Sequence, residues 1–233
     1  PSAEPTSEAP AEDHFWVPGN WMWQEADYAW RPGFWAPAHE HWVWVPAQYV
    51  WTPRGVIFVD GYWDYQLADR GVLFAPVYYQ EPIYRQPNYF YTPTVVVDVE
   101  PLLVHLFVRP HYHHYYYGDY YADHYQRDFG ILPWVSYFTQ HRHYDPLLVY
   151  YRWSYRQRGI DFVDRISRWH HWFHGHEDYR PPHWYHQHDA YVARHRGANW
   201  LNLAVFNQPL DRFVSRHGRD FTRLDRDRRQ RIG

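Results

Sequence analysis

Between His14 and Tyr79, runs of about nine β-favouring, mostly aromatic residues alternate with short polar connections at 25–27, 38–40, 53–55 and 69–71. The runs share a phrase: Trp16-Val17-Pro18-Gly19-Asn20-Trp21, Trp30-Arg31-Pro32-Gly33-Phe34-Trp35, Trp44-Val45-Pro46-Ala47-Gln48-Tyr49 and Phe58-Val59-Asp60-Gly61-Tyr62-Trp63. Its small residue falls at 19, 33, 47 and 61, a constant step of 14, and a faded fifth copy follows at 72–77 with Ala75 in that place. So regular a period marks a copied supersecondary unit. One strand and one turn per unit predicts an antiparallel β-meander over 14–79. Because 14 is even, each phase of the repeat returns to the same side of the sheet. Gly19 and Gly33 then share a face with Trp21 and Trp35, as Ala47 and Gly61 do with Tyr49 and Trp63. The small residue leaves room for an indole from the neighbouring strand. By parity, Trp21, Trp35 and Trp63 are expected in the core and Trp16, Trp30 and Trp44 free to face a partner. Pro18, Pro32 and Pro46 each remove a ladder donor, which predicts a bulge or sharp coil and a strongly twisted or rolled sheet.

The pattern changes outside the repeats. Residues 1–13 carry Pro, Ala, Ser, Thr and acids with no large apolar residue, which reads as a disordered leader. The chain starts without Met, so a processed mature end or a piece of a longer product is expected. Residues 80–97 are punctuated by Pro and read as an extended linker or edge strand. A short helix is predicted over 98–108, with Pro101 at its first position and Leu102, Leu103, Leu106 and Phe107 as its apolar stripe; His105 sits beside that stripe. Residues 111–128 are a low-complexity mix of Tyr, His and Asp with a loop near Gly118. Asp145-Pro146 opens a helix to about residue 158. Asp161 caps another, with Phe162, Ile166, Trp169 and Phe173 at helical spacing. Pro181-Pro182 breaks the chain, and a last helical piece begins near Pro209 and runs into an Arg-rich tail. The fold class is α+β: the aromatic meander, then a mostly helical and irregular Tyr/His-rich region over 98–233.

Composition sharpens this picture. Aromatic residues make up 22% of the 233, and nine of the 15 tryptophans lie between Trp16 and Trp63. Mean hydropathy is nonetheless −0.77, so the rings are interleaved with polar groups, and no run is long enough for a membrane-spanning helix. There is no cysteine, which excludes a disulfide framework and thiolate metal sites. All 23 basic residues are Arg. Arg stacks on rings and forks onto carboxylates, which suits planar packing; codon bias in a GC-rich genome is the other explanation. Residues 1–100 hold 4 Arg against 13 acids, a net of −9, and residues 101–233 hold 19 Arg against 13 acids, a net of +6. An acidic half and a basic half can pair within a chain or between subunits.

The repeated W-x-x-G-x-W phrase resembles the WxxGxW (also YxWGxW) repeat of exported bacterial proteins, notably those of planctomycetes. Gly61 to Tyr65, Asp69 to Tyr78, Leu106 to Pro110 and Tyr115 to Tyr121 are similar to segments of that group. The resemblance spans residues 14–155, with Ala47 departing from its glycine. It implies export and an envelope or surface setting. The family carries no established enzymatic activity, so it supplies no catalytic positions.

Two chemistries compete with a purely structural reading. Fifteen of the 19 histidines lie between His105 and His195. His111, His113 and His114 lie near Asp119 and His124, and His141 and His143 share a face of an extended segment. His170 and His174 stand at i and i+4 of a helix, and His183, His186 and His188 form a further cluster. Such sets suit zinc or copper. The alternative is that these histidines replace Tyr in stacked surfaces and donate one hydrogen bond each. Glycan binding would use exposed Trp and Tyr for stacking and Asp27, Asp60 and Asp64 for hydroxyls, whereas the same rings could equally form a thin core. Catalytic motifs are absent from the sequence, and a net charge of −3 argues against nucleic acid as a partner. The sequence therefore leads to an exported, non-enzymatic structural or interaction protein of the periplasm, envelope or cell surface. It would join copies of itself into a layer or filament, or join other envelope proteins, through aromatic faces. A His-rich Zn/Cu-binding protein and a glycan-binding module stand as alternatives.

Overall fold

A computed structural model describes residues 4–87, 89–112, 114–141, 144–217, 225, 227–228 and 231. The chain forms two compact units, one from residues 1–71 and 103–181, the other from 72–102 and 182–233.

The first unit opens with β1 (His14–Val17), β2 (Asn20–Gln24), β3 (Asp27–Arg31) and β4 (Phe34–Pro37). β1 pairs with β4 from His14–Pro37 to Val17–Phe34, and β2 with β3 from Asn20–Arg31 to Gln24–Asp27. Both ladders keep one register, so two repeats form one long hairpin interrupted where Pro18-Gly19 faces Pro32-Gly33. Proline has no N–H to give a ladder, which is why both arms break there. The next two repeats do the same. β5 (Trp42–Val45) pairs with β8 (Tyr62–Tyr65), and β6 (Gln48–Thr52) with β7 (Gly55–Val59). The tips turn at Glu25, with φ 51°, and at Gly55, with φ 119°. The expected antiparallel meander is thus present, organised as two hairpins of two repeats each.

Residues 4–13 are exposed and bond to the rest of the first unit at three places. The Trp35 indole N–H donates to Ser7 Oγ (3.1 Å), the Ala38 N–H to the Asp13 carbonyl (2.8 Å) and the Arg156 guanidinium to the Glu12 carbonyl (3.3 Å). Two of these acceptors are backbone carbonyls, which composition does not reveal, and the third is the Ser7 hydroxyl.

β9 (Leu73–Phe74) and β10 (Val95–Val97) belong to the second unit. β10 is the centre of a three-stranded sheet, not a linker or an edge, because Val96 and Val97 are buried there. α1 (Val99–Val104) follows, and the expected helix stops here. Leu106 to Arg109 form β11, paired on both sides with β12 (His114–Tyr117) and β13 (Leu132–Pro133). Leu106, Phe107 and Val108 are all buried, and a run buried on every side carries no period to separate helix from strand. Gly118, with φ 123°, turns the chain after β12.

α2 (Asp123–Phe129) ends on Gly130 in the left-handed region, whose N–H caps the Gln126 carbonyl. α3 (Trp134–His141) precedes α4 (Pro146–Arg156), which is opened by Asp145 accepting from the Leu148 N–H (2.7 Å) with Pro146 in the first turn. α5 (Phe162–Gly175) is capped by Asp161 and buries Phe162, Ile166 and Phe173. Trp134, Phe107, Phe162 and Phe173 are the largest buried rings of this unit. In the second unit, α6 (His188–Arg194), α7 (Leu201–Ala204) and β14 (Asn207–Pro209) lead to α8 (Leu210–His217), the helix expected after Pro209. β14 pairs with β10, and Ala204, Phe206 and Gln208 are buried beside Val96 and Val97 in the second unit's core. No helix among the described residues is long and apolar enough to cross a membrane.

Candidate functional site: the aromatic hairpin faces

Each hairpin gathers four rings around its central pair of small residues. In the first, Trp16 meets Trp35 with centroids 5.4 Å apart and Trp21 meets Trp30 at 5.3 Å, both at 66°. In the second, Trp44 meets Trp63 at 5.4 Å and 69°, and Tyr49 meets Phe58 at 5.2 Å. Edge-on rings at this separation set the positive rim of one against the negative face of the other. Glycine makes the close approach achievable. A Cβ at Gly19 would overlap the Cζ2 edge of Trp30, one at Gly33 that of Trp16, and one at Gly61 that of Trp44. The fourth station, by register, is Ala47 with Phe58. The single place where glycine gives way to alanine is the place where the indole gives way to the smaller phenyl.

This corrects the parity argument. Trp16, Trp30 and Trp44 are the rings seated on glycine and half-buried, while Trp21 is 47% exposed; Trp35 and Trp63 are half-buried. The ladders pair even positions with odd ones, Trp16 with Trp35, Trp21 with Trp30 and Trp44 with Trp63, so parity counted along the sequence places the rings wrongly.

The two hairpins touch through unlike faces. Phe34 packs edge-on against Trp44 (6.0 Å) and Phe15 against Trp63 (6.1 Å). The Tyr49 hydroxyl accepts from the Trp23 N–H (3.0 Å) and donates to the Trp21 carbonyl (3.3 Å), reaching the backbone on either side of Met22. Arg31 donates to Asp60 (2.6 Å); that bond, and then the Gly61 N–H, hold the Asp60 carboxyl below its usual range. The aromatic face of the second hairpin is therefore partly covered by the first. The first hairpin's own face has Ser7 on Trp35 but leaves Trp21, Trp23 and Tyr28 exposed. Trp51 is 84% exposed at the second tip, beside Val56 and Ile57.

Several of the described histidines lie against aromatic rings. His141 stacks on Tyr137 (4.5 Å, 27°) and its Nδ1–H donates to the Tyr137 carbonyl (3.0 Å). His124 lies on Tyr125, and His176 on Trp172 at 4.4 Å and 15°. His111 and His114 are exposed, and Asp119 is drawn towards Arg180 (3.9 Å). His170 turns inward against Phe107 and Tyr121, whereas His174 stays at the surface, 3.4 Å from Asp123. Among the described residues no three His, Asp or Glu converge as metal ligands. His113 and His143 lie outside the described residues. Among the described residues, spacing along the chain did not become convergence in space: His124, His141 and His170 lie against aromatic neighbours, while His111, His114 and His174 stay at the surface.

Sequence reasoning missed two buried polar groups. His105 is fully buried; its Nδ1–H donates to the Tyr121 oxygen (2.8 Å), and the Tyr121 hydroxyl donates to the Val104 carbonyl (3.2 Å). Burial pushes the Tyr121 hydroxyl well up and pulls His170 down to about 3, so both are neutral at ordinary pH. Asp145 is also buried and accepts from the Tyr115 hydroxyl; burial raises its carboxyl, opposed by that bond and the Leu148 N–H. Its position in front of Pro146 was legible as a cap, its burial was not. A cleft of about 1310 Å³ lies between the leader, the first hairpin and α3–α5, walled by Trp16, Phe138, Leu148 and Ile160, with Arg152 and Arg156 one turn apart on α4.

The family model described as WXXGXW repeat, in two copies, matches residues 13–33, 26–48 and 54–67, well under half of the chain. No curated protein matches the chain. No solved structure matches it either. The matched segments fall within the region of the two hairpins, so it is this N-terminal part of the chain that is similar to the WXXGXW repeat.

Proposed function

We propose that this is an exported, non-enzymatic structural or interaction protein that assembles with itself, or with other envelope proteins, through the aromatic faces of its hairpins. One observation carries the reading: Trp21, Trp23, Tyr28, Trp51 and Ile57, between 47% and 84% exposed, stand on paired strands only two deep. An isolated two-stranded ribbon is marginally stable in water, and contiguous exposed apolar surface of this kind marks protein contacts. Tyr and Trp suit such a surface because they bring large rigid area at low entropic cost. Export and an envelope setting are the expectations that accompany the repeat. The metal reading loses its support from sequence spacing, since the described candidate ligands do not converge.

The test is the solution mass of the natively isolated protein by light scattering, with and without EDTA. A mass several times 28.8 kDa that EDTA leaves unchanged supports assembly through aromatic faces. A large mass that collapses with EDTA makes metal the joint instead. A monomer in both conditions removes the assembly reading.

A further inference from the structure

The cleft of the first unit joins one face of a helix to an apolar wall. On α4, Val149, Arg152 and Arg156 stand at i, i+3 and i+7, so they share a face, and all three line the cleft. Trp16 from β1, Phe138 from α3 and Ile160 from the turn before α5 bring apolar groups to it. At about 1310 Å³ it exceeds the roughly 300–1,000 Å³ of ordinary small-molecule sites, so such a ligand enters without displacing the wall. The charges of the wall do not cancel. Of its three acids, Asp145 is buried and accepts from the Tyr115 hydroxyl and the Leu148 N–H, Asp161 accepts from the Asp164 N–H (3.0 Å), and Glu4 already has a partner. Arg156 donates to the Glu12 carbonyl (3.3 Å), a neutral group. Arg152 is exposed and has neither a hydrogen bond nor an ion pair among the described residues.

From this geometry we infer that the cleft binds a small amphipathic acid, its apolar body against Trp16, Phe138, Leu148 and Ile160 and its oxyanion head on Arg152 and Arg156. A guanidinium forks onto a carboxylate or phosphate, and two of them one helical turn apart reach the same head. The apolar body leaves water on entering the wall, which supplies a non-directional driving force. Both halves of the ligand are needed. An inorganic anion would meet only the arginines, which are exposed and screened by salt. A neutral apolar molecule would leave the two charges unanswered. The site lies wholly within the first unit and uses none of the exposed rings Trp21, Trp23, Tyr28 and Trp51, so it stands beside the assembly reading and does not rest on it.

The test is calorimetric titration of the full chain with octanoate, octyl phosphate and, as the neutral counterpart, 1-octanol. The acid with the preferred head is expected to bind at one site per chain and about ten-fold or more tighter than octanol, as a charge-assisted hydrogen bond implies. Which of the two acids binds tighter identifies the head. Arg152→Gln removes a group that bonds to no described residue, so the fold is kept. It should weaken the acid about ten-fold and leave octanol within about two-fold. Val149→Trp, from the same face of α4, fills the cleft and should weaken all three probes; Val163→Phe, from α5, is the milder filling should circular dichroism show that variant unfolded. Three results overturn the inference. Neither acid binds; octanol binds as tightly as the acids; or Arg152→Gln and the folded cleft-filling variant both leave acid binding unchanged, which would place it on the exposed rings instead.

Discussion

Replacing Gly33 by alanine tests the ring-on-glycine packing directly. The added Cβ would overlap the Cζ2 edge of Trp16 and stand 2.7 Å from the Val17 carbonyl oxygen and 2.9 Å from the Gly19 nitrogen. Two of those three neighbours are backbone, so relief must come from the indole or from opening the hairpin. Overpacking of a well-filled site costs about 1–3 kcal/mol. If Trp16 swings away it also loses its edge-on contact with Trp35, worth about 0.5–1.5 kcal/mol. Alanine restricts the unfolded chain and returns roughly 0.4–1 kcal/mol. The net expectation is a destabilisation of about 0.5–4 kcal/mol, read from urea unfolding followed by tryptophan fluorescence. Gly175→Ala, at the end of α5 with nothing within 4 Å of the new methyl, is the control and is expected to be neutral or slightly stabilising. A Gly33→Ala midpoint equal to that of Gly175→Ala would refute the packing argument. The fourth station offers the complementary test. Phe58→Trp alone is expected to cost about 1–3 kcal/mol against Ala47. Ala47→Gly alone should cost about 0.5–1 kcal/mol in chain entropy. The double variant should recover a coupling of about 1–2 kcal/mol; simple additivity would show that Ala47 and Phe58 are not partners.

Asp145→Ala removes the cap of α4 and strands the Tyr115 hydroxyl, and a loss of about 2–4 kcal/mol by equilibrium denaturation is expected, with a change under about 0.5 kcal/mol counting against the buried pair. His170 is held down to about 3 by burial, so the unfolded state takes up its proton first as pH falls. Its contribution to stability is whole above about pH 6.5 and is lost progressively down to about pH 3, at up to about 1.4 kcal/mol per pH unit. In His170→Phe that part of the slope should vanish, leaving the parts owed to other shifted groups, among them His188, which burial also lowers, and Asp145, which burial raises; an unchanged slope would contradict the assignment. The leader is expected to protect the first hairpin, so Ser7→Ala, which removes the acceptor of the Trp35 N–H, should raise Trp35 accessibility to a fluorescence quencher without unfolding the chain.

Local chemistry was the legible part of this chain. The step of 14, the hairpin connections and the caps at Asp145 and Asp161 are written in residues that act on their own neighbours, and they stand where expected. What failed depends on distant partners. Leu106 to Val108 read as a helical stripe because Leu102 and Leu103 precede them, yet pairing with Tyr115 to Tyr117 on one side and with Leu132 and Pro133 on the other claims the segment for a sheet. The face of each Trp could not be counted along the chain, since the register sets even positions opposite odd ones. The histidine clusters were real as spacings, but His170 and His174, one turn apart, differ in burial because Phe107 and Tyr121 come from elsewhere in the chain to cover one of them.

The shared register of each hairpin has a consequence for how such arrays can lengthen or shrink. A single 14-residue copy supplies one arm of each of two ladders and completes neither, so copies are useful only in even numbers. Duplicating 28 residues adds a closed hairpin, whereas duplicating 14 leaves half a hairpin searching for hydrogen bonds. The fifth copy expected at 72–77 would be such an odd one, and the family match ends before it, at residue 67. Its short strand, Leu73–Phe74, joins no hairpin and pairs instead with Val96 and Val97.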